Sequence, residues 1–234
     1  DSALHCLPAD FIAGKMMSVR AMILGLSLDL VQPTTQPMRD VYSSYDFAAM
    51  TPLQAHHSLG RLHQIKTLII GGAPIYPELY DKLVSLHDNC YETYGMTETI
   101  THIAASKISF PKKPFRALDG IHLNVDGQGC LIVDAPDITD QLIQTNDLVE
   151  MHNKKTFTYL GRRDNVINSG GVKISPEVVE QKLANYIQFP FFLYGIPDKV
   201  LGQKLIMVVE GDNRRLKEAE KQIAVIKNLQ KFEV

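Results

Sequence analysis

The middle of the chain constrains its fold more than any other part. An apolar, β-prone run from Lys66 to Ile70 ends in Gly71-Gly72, a helical pattern begins at Pro77, and a second strand candidate, Asn89 to Tyr94, ends at Gly95. This alternation of strand, glycine turn, helix and strand is typical of a parallel sheet covered by helices. Ligands of such sheets bind at the carboxyl ends of the strands, which is where these glycines fall.

The segment before this one fits the same architecture. Helical spacing of apolar residues predicts a helix from Ala13 to Leu24, followed by a short buried strand, Leu28 to Val31. Thr51-Pro52 is typical of a helix start, and Gly60 predicts where that helix ends. We therefore expect a parallel-sheet core in the first half of the chain.

The second half has a different pattern. Short alternating segments from Leu118 to Thr158 are broken by turn residues, which predicts antiparallel β structure. Beyond it the pattern predicts a helix from Pro176, two apolar strands, and a last helix from Arg215 to about Lys231. The predicted class is α/β for residues 1–163, with a small antiparallel β part, and α+β for a small domain at 164–234.

Charge and cysteine content exclude several classes of protein. A net charge of -2 gives no reason to expect nucleic acid or an anionic membrane as partner. The apolar run from Ala21 to Val31 is too short to span a bilayer, and the chain opens without a leader pattern. The 3 cysteines are far apart, which argues against a disulfide framework and a zinc site. We expect buried free thiols and a cytoplasmic protein.

Tyr94-Gly95-Met96-Thr97-Glu98-Thr99 places groups suited to a nucleotide after a strand. Gly95 permits a close approach that a Cβ would block, and Thr97 can donate to a phosphate oxygen. Glu98 is a hard oxygen ligand suited to Mg²⁺, and Tyr94 offers an aromatic face to a base. Alone, the hexapeptide is equally a turn with a capping threonine and a solvated glutamate.

Three other motifs accompany it. Gly71-Gly72-Ala73-Pro74 is small enough for a flat ring to lie against the backbone. Asp147 is a natural acceptor for ribose hydroxyls, and Arg162 offers a fork of donors with a permanent charge. The segment from Asp164 to Glu177 predicts a hairpin turn at two glycines and then a helix start. Each motif alone has an ordinary structural explanation.

Read in order, these motifs resemble the successive core motifs of the adenylate-forming superfamily, which includes acyl- and aryl-CoA synthetases, luciferases and adenylation domains. The resemblance covers nearly the whole chain, and the hexapeptide and the glycine-rich segment after Gly161 are its most specific parts. It implies a partial copy of that fold, in which residues 164–234 form part of a C-terminal lid.

The resemblance also implies roles for individual residues. Residues near the adenine and phosphates would be Gly72, Ala73, Pro74, Tyr94, Gly95 and Thr97. Glu98 would bind Mg²⁺ and act with Thr97 in catalysis, and Asp147 and Arg162 would hold the ribose. Asp164 would be the hinge of the lid, and Gly170 and Gly171 would line the path of CoA.

The acid pocket is expected where Leu7 to Gly14 stands, because relatives have a proline, aromatic and glycine segment there. Family members often carry histidine in that segment, whereas this chain has Asp10-Phe11. The sequence is most similar to the o-succinylbenzoate–CoA ligases of menaquinone biosynthesis. That acid has two carboxylates, so a second cation is needed. The candidate pocket residues are Phe11, Gly14, Lys15 and Arg20.

The reaction implied is ATP-dependent ligation of a carboxylic acid to CoA through an acyl-AMP, with Mg²⁺. Relatives also have a phosphate loop ending in lysine and a C-terminal Thr-Gly-Lys, and neither occurs in the 234 residues. We therefore expect a piece of a longer protein that lacks full activity alone. The alternatives are another acyl- or aryl-CoA synthetase, an enzyme that loads a carrier protein, a nucleotide-binding module without catalysis, and an unrelated α/β scaffold.

Overall fold

A computed structural model describes residues 1–184, 186, 187 and 189–224. The helices are α1 (Ile12–Leu24), α2 (Pro52–Ser58), α3 (Pro77–Leu86), α4 (Pro176–Leu183) and α5 (Asn213–Ala224). The strands are β1 (Ser2–His5), β2 (Ser27–Leu30), β3 (Tyr45–Met50), β4 (Ile65–Ile70), β5 (Cys90–Gly95), β6 (His102–Lys107), β7 (Phe115–Ala117), β8 (His122–Val125), β9 (Cys130–Asp134), β10 (Ile143–Asn153), β11 (Thr156–Arg162), β12 (Ile167–Ser169), β13 (Val172–Ile174), β14 (Phe191–Asp198) and β15 (Gly202–Val209). Short 3₁₀ turns occupy Leu59–Gln64, Thr97–Thr99 and Arg163–Asn165.

Eleven strands form one large sheet in the order β2-β1-β3-β4-β5-β6-β7-β11-β10-β9-β8. The strands from β2 to β5 in this order are parallel to their neighbours. The pairs β5–β6, β6–β7, β7–β11 and β8–β9 are antiparallel. The predicted parallel core and antiparallel part are therefore confirmed.

Helices cover both faces of the parallel strands. On one face Ala3 and Ala49 pack with Met17 of α1; on the other, Leu4 and Leu68 belong to a larger core that includes the apolar side of α2 and α3. Burial on both faces explains why β4 ends in a continuous apolar run, Leu68 to Ile70, rather than an alternating one. The three cysteines of the chain are buried, and none of them forms a disulfide.

The contacts divide the chain into two compact units. The first comprises residues 1–75, 79–145 and 150–158, and the second comprises 76–78, 146–149 and the chain from 159 onwards. The second unit contains a four-stranded sheet, in the order β13-β12-β15-β14, with α4 and α5. This is the α+β composition expected for the C-terminal part. The proposed domain division, 1–163 and 164–234, remains a prediction.

Several element boundaries differ from the sequence-based expectations. The α-helix expected to end at Gly60 ends at Ser58, and the chain continues as a 3₁₀ turn through Gly60. The last helix begins at Asn213; the part predicted from 225 to Lys231 lies outside the described residues. None of the helices in the described ranges is long and apolar enough to cross a membrane.

Candidate functional site

A cavity of about 290 Å³ opens at the carboxyl ends of the parallel strands. Helix α1 and the segment before it contribute Leu7, Ile12, Ala13, Met16 and Arg20. Strands β3 to β5 and the segments that follow them contribute Ala49, Met50, Thr51, Ile69, Gly71, Gly72, Thr93, Gly95, Met96, Thr97, Ile100, Thr101 and His102. The position agrees with the expectation that ligands of such sheets bind at this edge.

Glycines form much of the cavity wall on the strand side. A side chain at Gly71 would meet the hydroxyl of Thr93, whereas Gly72, with φ of +85°, has nothing within 4 Å of where a Cβ would lie. Gly72 therefore combines a left-handed backbone with open space beside it. A flat ligand can approach the backbone there, which fits the adenine position that the family resemblance implies.

Gly95 is required for a different reason from the one expected. A Cβ at Gly95 would lie 2.6 Å from both the Cα of His102 and the carbonyl oxygen of Thr101. The register between β5 and β6 shifts at this point, so the two backbones come into close contact. The glycine is thus needed by the packing of the protein itself.

The substitution Gly95→Ala is expected to destabilise the protein by about 1–3 kcal/mol, because the added methyl group must displace backbone rather than a flexible side chain. Urea unfolding of the full-length gene product measures this. Gly60→Ala is the matched control, since nothing lies within 4 Å of a Cβ at Gly60. Equal stability of the two variants would contradict the contact.

The turn after Gly95 presents Thr97 and Glu98 to solvent while its interior is fixed. The fully buried Thr99 hydroxyl accepts from the Met96 N–H at 3.0 Å and lies 2.8 Å from the Thr101 carbonyl, to which it can donate. Ile100 completes the turn with φ of +63°, a backbone conformation that is strained for a β-branched residue. Within the described chain neither the Thr97 hydroxyl nor the Glu98 carboxylate has a side-chain partner. Both groups are therefore available to a ligand.

Helix α1 forms the opposite wall with one of its faces. Gly14, Met17 and Ala21 are buried in the protein, whereas Met16 and Arg20 are on the cavity side. Burial lowers the pKa of Arg20, and its Nη1 lies 3.6 Å from the sulfur of Met17. The described residues offer Arg20 no carboxylate partner. A half-buried guanidinium of this kind is suited to an anionic ligand.

Sequence reasoning did not identify two polar residues of the cavity, Thr101 and His102. The His102 ring nitrogen Nδ1 lies 3.5 Å from the Thr101 hydroxyl. Burial, and then the charge of Arg20, lowers the pKa of His102, so the imidazole is neutral near pH 7. The signal for both was their position directly after the hexapeptide, at the start of the next strand.

In the second unit, Arg162 connects two of the predicted site residues. Its guanidinium lies 3.8 Å from Asp147 through Nη1 and donates to Asp164 at 3.0 Å through Nη2. The hydrogen bond to Asp164, followed by the charges of both carboxylates, raises the pKa of Arg162. The side chain of Asn146 donates to Asp164 at 3.1 Å and accepts from Arg163 at 2.6 Å. Asn146, which sequence reasoning missed, thus helps to fix the predicted hinge.

Tyr159 lies beside the same cluster. Its pKa is raised to about 12 by burial, and further by the charges of Asp147 and Glu177, against the opposing charge of Arg162. The phenol is therefore a neutral donor at physiological pH. The structure thus brings the two ribose candidates, Asp147 and Arg162, together with a neutral hydroxyl in the second unit.

The remaining predicted site residues differ in their surroundings. Gly170 and Gly171, with φ of 58° and 84°, form the tight turn between β12 and β13 that the sequence indicated. Tyr94 packs edge-on against Phe157, with ring centres 5.2 Å apart. Ala73 and Pro74 lie in the exposed loop after β4.

Three of the four acid-pocket candidates do not line the cavity. Phe11 is 68% exposed at the start of α1, and Lys15 is also exposed. Gly14 is buried, and a Cβ there would collide with the carbonyl of Pro8, so this glycine serves the packing of α1. Arg20 is the candidate that lines the cavity.

Comparison with known proteins places this site in a family. A crystal structure of an acyl-CoA synthetase (AMP-forming)/AMP-acid ligase II-like protein from Dyadobacter fermentans is 36% identical, with a TM-score of 0.66. The alignment covers 97% of this chain and 68% of that one. The chain belongs to the adenylate-forming superfamily. It therefore has the α/β fold of that superfamily, with an α+β C-terminal part.

A curated sequence and a solved structure from Escherichia coli are also similar to this adenylate-forming chain. The 2-succinylbenzoate–CoA ligase of strain K12 is 26% identical over 231 residues, which is 91% of this chain and 50% of that enzyme. A structure of a variant of MenE with bound OSB-AMS is 25% identical, with a TM-score of 0.76, over 91% of this chain and 51% of that one. The chain spans about half the length of the curated relatives it matches. No family model matches it.

Proposed function

We propose that the full-length gene product is an AMP-forming ligase that joins o-succinylbenzoate to CoA. Family membership supports the reaction, and relatives named 2-succinylbenzoate–CoA ligase support the acid. The observation that carries the proposal is the cavity itself, which is largely apolar and has Arg20 as its one cationic residue among those that the structure describes. An aromatic acid with a second carboxylate matches that combination.

In the first step, a carboxylate oxygen of the acid attacks the α-phosphorus of ATP and pyrophosphate leaves. No protein nucleophile is needed, so the residues act by positioning and by stabilising charge. The free Thr97 hydroxyl at the cavity is suited to donate to the α-phosphate or to the attacking carboxylate. Gly72, Ala73, Pro74, Tyr94 and Gly95 are proposed to border the adenine.

The Glu98 carboxylate fits the binding of Mg²⁺. It is exposed, lies in the same 3₁₀ turn as Thr97, and has no ion-pair partner within the described ranges. Mg²⁺ is usually held by one or two carboxylates together with substrate phosphates, so a single glutamate is sufficient on the protein side. The ion would neutralise phosphate charge. The protein contributes a carboxylate on a turn whose backbone is held by the buried Thr99.

In the second step, the thiol of CoA attacks the acyl carbonyl and AMP leaves. Asp147 and Arg162 are proposed to hold the ribose, as an acceptor and a donor of hydrogen bonds. Asp164 is proposed as the hinge between the orientations for the two steps. Gly170 and Gly171 present a turn without side chains, which is suited to the passage of the narrow pantetheine chain.

The second carboxylate of the acid is assigned to Arg20. The planar guanidinium can bind both oxygens of a carboxylate, and the half-buried position strengthens that interaction. We also propose a cytoplasmic location, which is supported by three buried cysteines that form no disulfide. The substrates are then ATP, CoA and a small carboxylic acid.

A substrate panel tests the proposed function. Full-length gene product is incubated with MgATP, CoA and o-succinylbenzoate, a benzoate or a medium-chain fatty acid, and AMP and acyl-CoA are quantified. We expect turnover with o-succinylbenzoate and an AMP release that depends strongly on CoA. Turnover of benzoates or fatty acids without turnover of o-succinylbenzoate would refute the choice of acid, and AMP release independent of CoA would refute the choice of acceptor.

A further inference from the structure

The cavity contains more polar groups than the adenylation step needs. Two of its hydroxyls are already used within the protein, since Thr51 accepts from the Gln54 N–H at 3.3 Å and Thr93 donates to the Ile70 carbonyl at 3.2 Å. Thr97 is assigned to the reacting phosphate or carboxylate. Arg20, Thr101 and His102 remain, and they lie in an otherwise largely apolar lining.

Arg20 and His102 line the same cavity, and the charge of the arginine contributes to lowering the pKa of the imidazole. They come from different elements, Arg20 from the last turns of α1 and His102 from the first residue of β6. The guanidinium of Arg20 lies 5.4 Å from the centre of the Phe47 ring, and an anion bound beside it would stabilise its charge further. Neither side chain forms an ion pair with a carboxylate in the part of the chain that the structure describes.

The hydrogen bonding of His102 leaves one ring nitrogen available. Its Nδ1 is 3.5 Å from the Thr101 hydroxyl, and among the described residues Nε2 has no hydrogen-bond partner. A neutral imidazole whose Nδ1 accepts from that hydroxyl carries its proton on Nε2, which is then a donor. A carboxylate held by the Arg20 fork can accept this N–H as well, because each of its oxygens has two lone pairs.

We propose that His102 is a specificity-determining residue, which binds together with Arg20 the carboxylate of the substrate that is not adenylated. This inference rests on the proposed function and deepens it. The subsite formed by Arg20 and His102 would then select aromatic acids with a second carboxylate. The imidazole N–H would donate to that carboxylate in addition to the guanidinium. Acids with one carboxylate lack the group that His102 recognises.

The test compares an acid that has both carboxylates with analogues that have one. In full-length gene product, kcat and KM are measured for o-succinylbenzoate, for 4-oxo-4-phenylbutanoate and for 2-butanoylbenzoate. His102→Leu removes the N–H donor, His102→Gln retains one, and His122→Leu replaces an exposed histidine of β8 as the matched control. Thermal unfolding of each variant monitors folding.

We expect His102→Leu to raise the KM for o-succinylbenzoate by about 10- to 100-fold with little change in kcat, on the scale of a lost hydrogen bond to a charged group. The KM of whichever one-carboxylate analogue the wild type accepts is expected to stay within about twofold. His102→Gln is expected to recover most of the lost affinity, because glutamine retains an N–H donor. His122→Leu is expected to behave as wild type.

An unchanged KM for o-succinylbenzoate in His102→Leu overturns this inference and leaves the proposed function intact. An equal rise for the one-carboxylate analogue also overturns it, because the residue would then shape the cavity rather than recognise the second carboxylate. A wild type that turns over other acids but not o-succinylbenzoate refutes the proposed function and this inference together.

Discussion

Replacing Glu98 with glutamine is expected to slow acid-dependent AMP formation by about 10²–10³-fold, the scale on which one electrostatic contact at a reacting centre contributes. Glutamine keeps the size of the side chain but removes the charge that would hold Mg²⁺ against the phosphates. Since Glu98 is exposed and has no partner among the described residues, the change should leave folding intact. Pyrophosphate release by the full-length gene product measures the effect.

Glu150→Gln is the matched control for this experiment, because Glu150 is an exposed glutamate on β10 of the large sheet. It should retain the wild-type rate. Raising the Mg²⁺ concentration should partly recover the Glu98→Gln variant if the lost contact is to the ion. A wild-type rate in Glu98→Gln, with unchanged thermal unfolding, would remove Glu98 from the proposed site.

Replacing Arg20 with methionine is expected to lower kcat/KM for o-succinylbenzoate by about 100-fold or more, since two hydrogen bonds to a charged group are lost. Methionine occupies a similar volume, and Met17 already lies beside the guanidinium, so packing of the helix should be little disturbed. Steady-state kinetics with the acid as the varied substrate measure the change. For acids with one carboxylate, activity should fall little or increase.

Arg20→Lys and Arg116→Met complete this set. Lysine keeps the charge without the planar fork, so an intermediate loss is expected. Arg116 is exposed on β7 and serves as the matched control. If Arg20→Met reduces activity equally for acids with one and two carboxylates, the guanidinium does not recognise the second carboxylate.

The parts of the fold that could be predicted are those in which local pattern and tertiary structure agree. The strand, glycine and helix alternation around Gly71-Gly72 identified β4, α3 and β5 because β4 is largely apolar and glycines mark the ends of both strands. Strand β3 was not predicted, since its sequence, Tyr45 to Met50, contains an aspartate and two alanines. It forms a strand because its neighbours in the sheet are already fixed, and the sequence itself carries no such information.

The site was predictable to a similar extent. Glycines and charged residues within motifs were identified, and Asp147 and Arg162 do lie together, 3.8 Å apart. The residues proposed to face the acid were harder to predict. A helix shows its periodicity in the sequence, but the sequence does not show which of its faces meets a cavity. Lys15 and Arg20 were equal candidates by composition, and the rotation of α1 on the sheet separates them. His102 was missed because it lies outside the recognised motifs, although it follows the hexapeptide closely.

The two walls of the cavity differ in how freely they can change. On the strand side, Gly71 and Gly95 are held by contacts that a methyl group would break, so this wall tolerates few substitutions. On the other side, Ala13 and Met16 project from a helix whose packing depends on other positions. If the proposed function is right, a library confined to these two positions and Arg20 is expected to change the acid that is accepted while preserving the wall proposed to border the nucleotide. Relatives that accept different acids are expected to differ at these three positions.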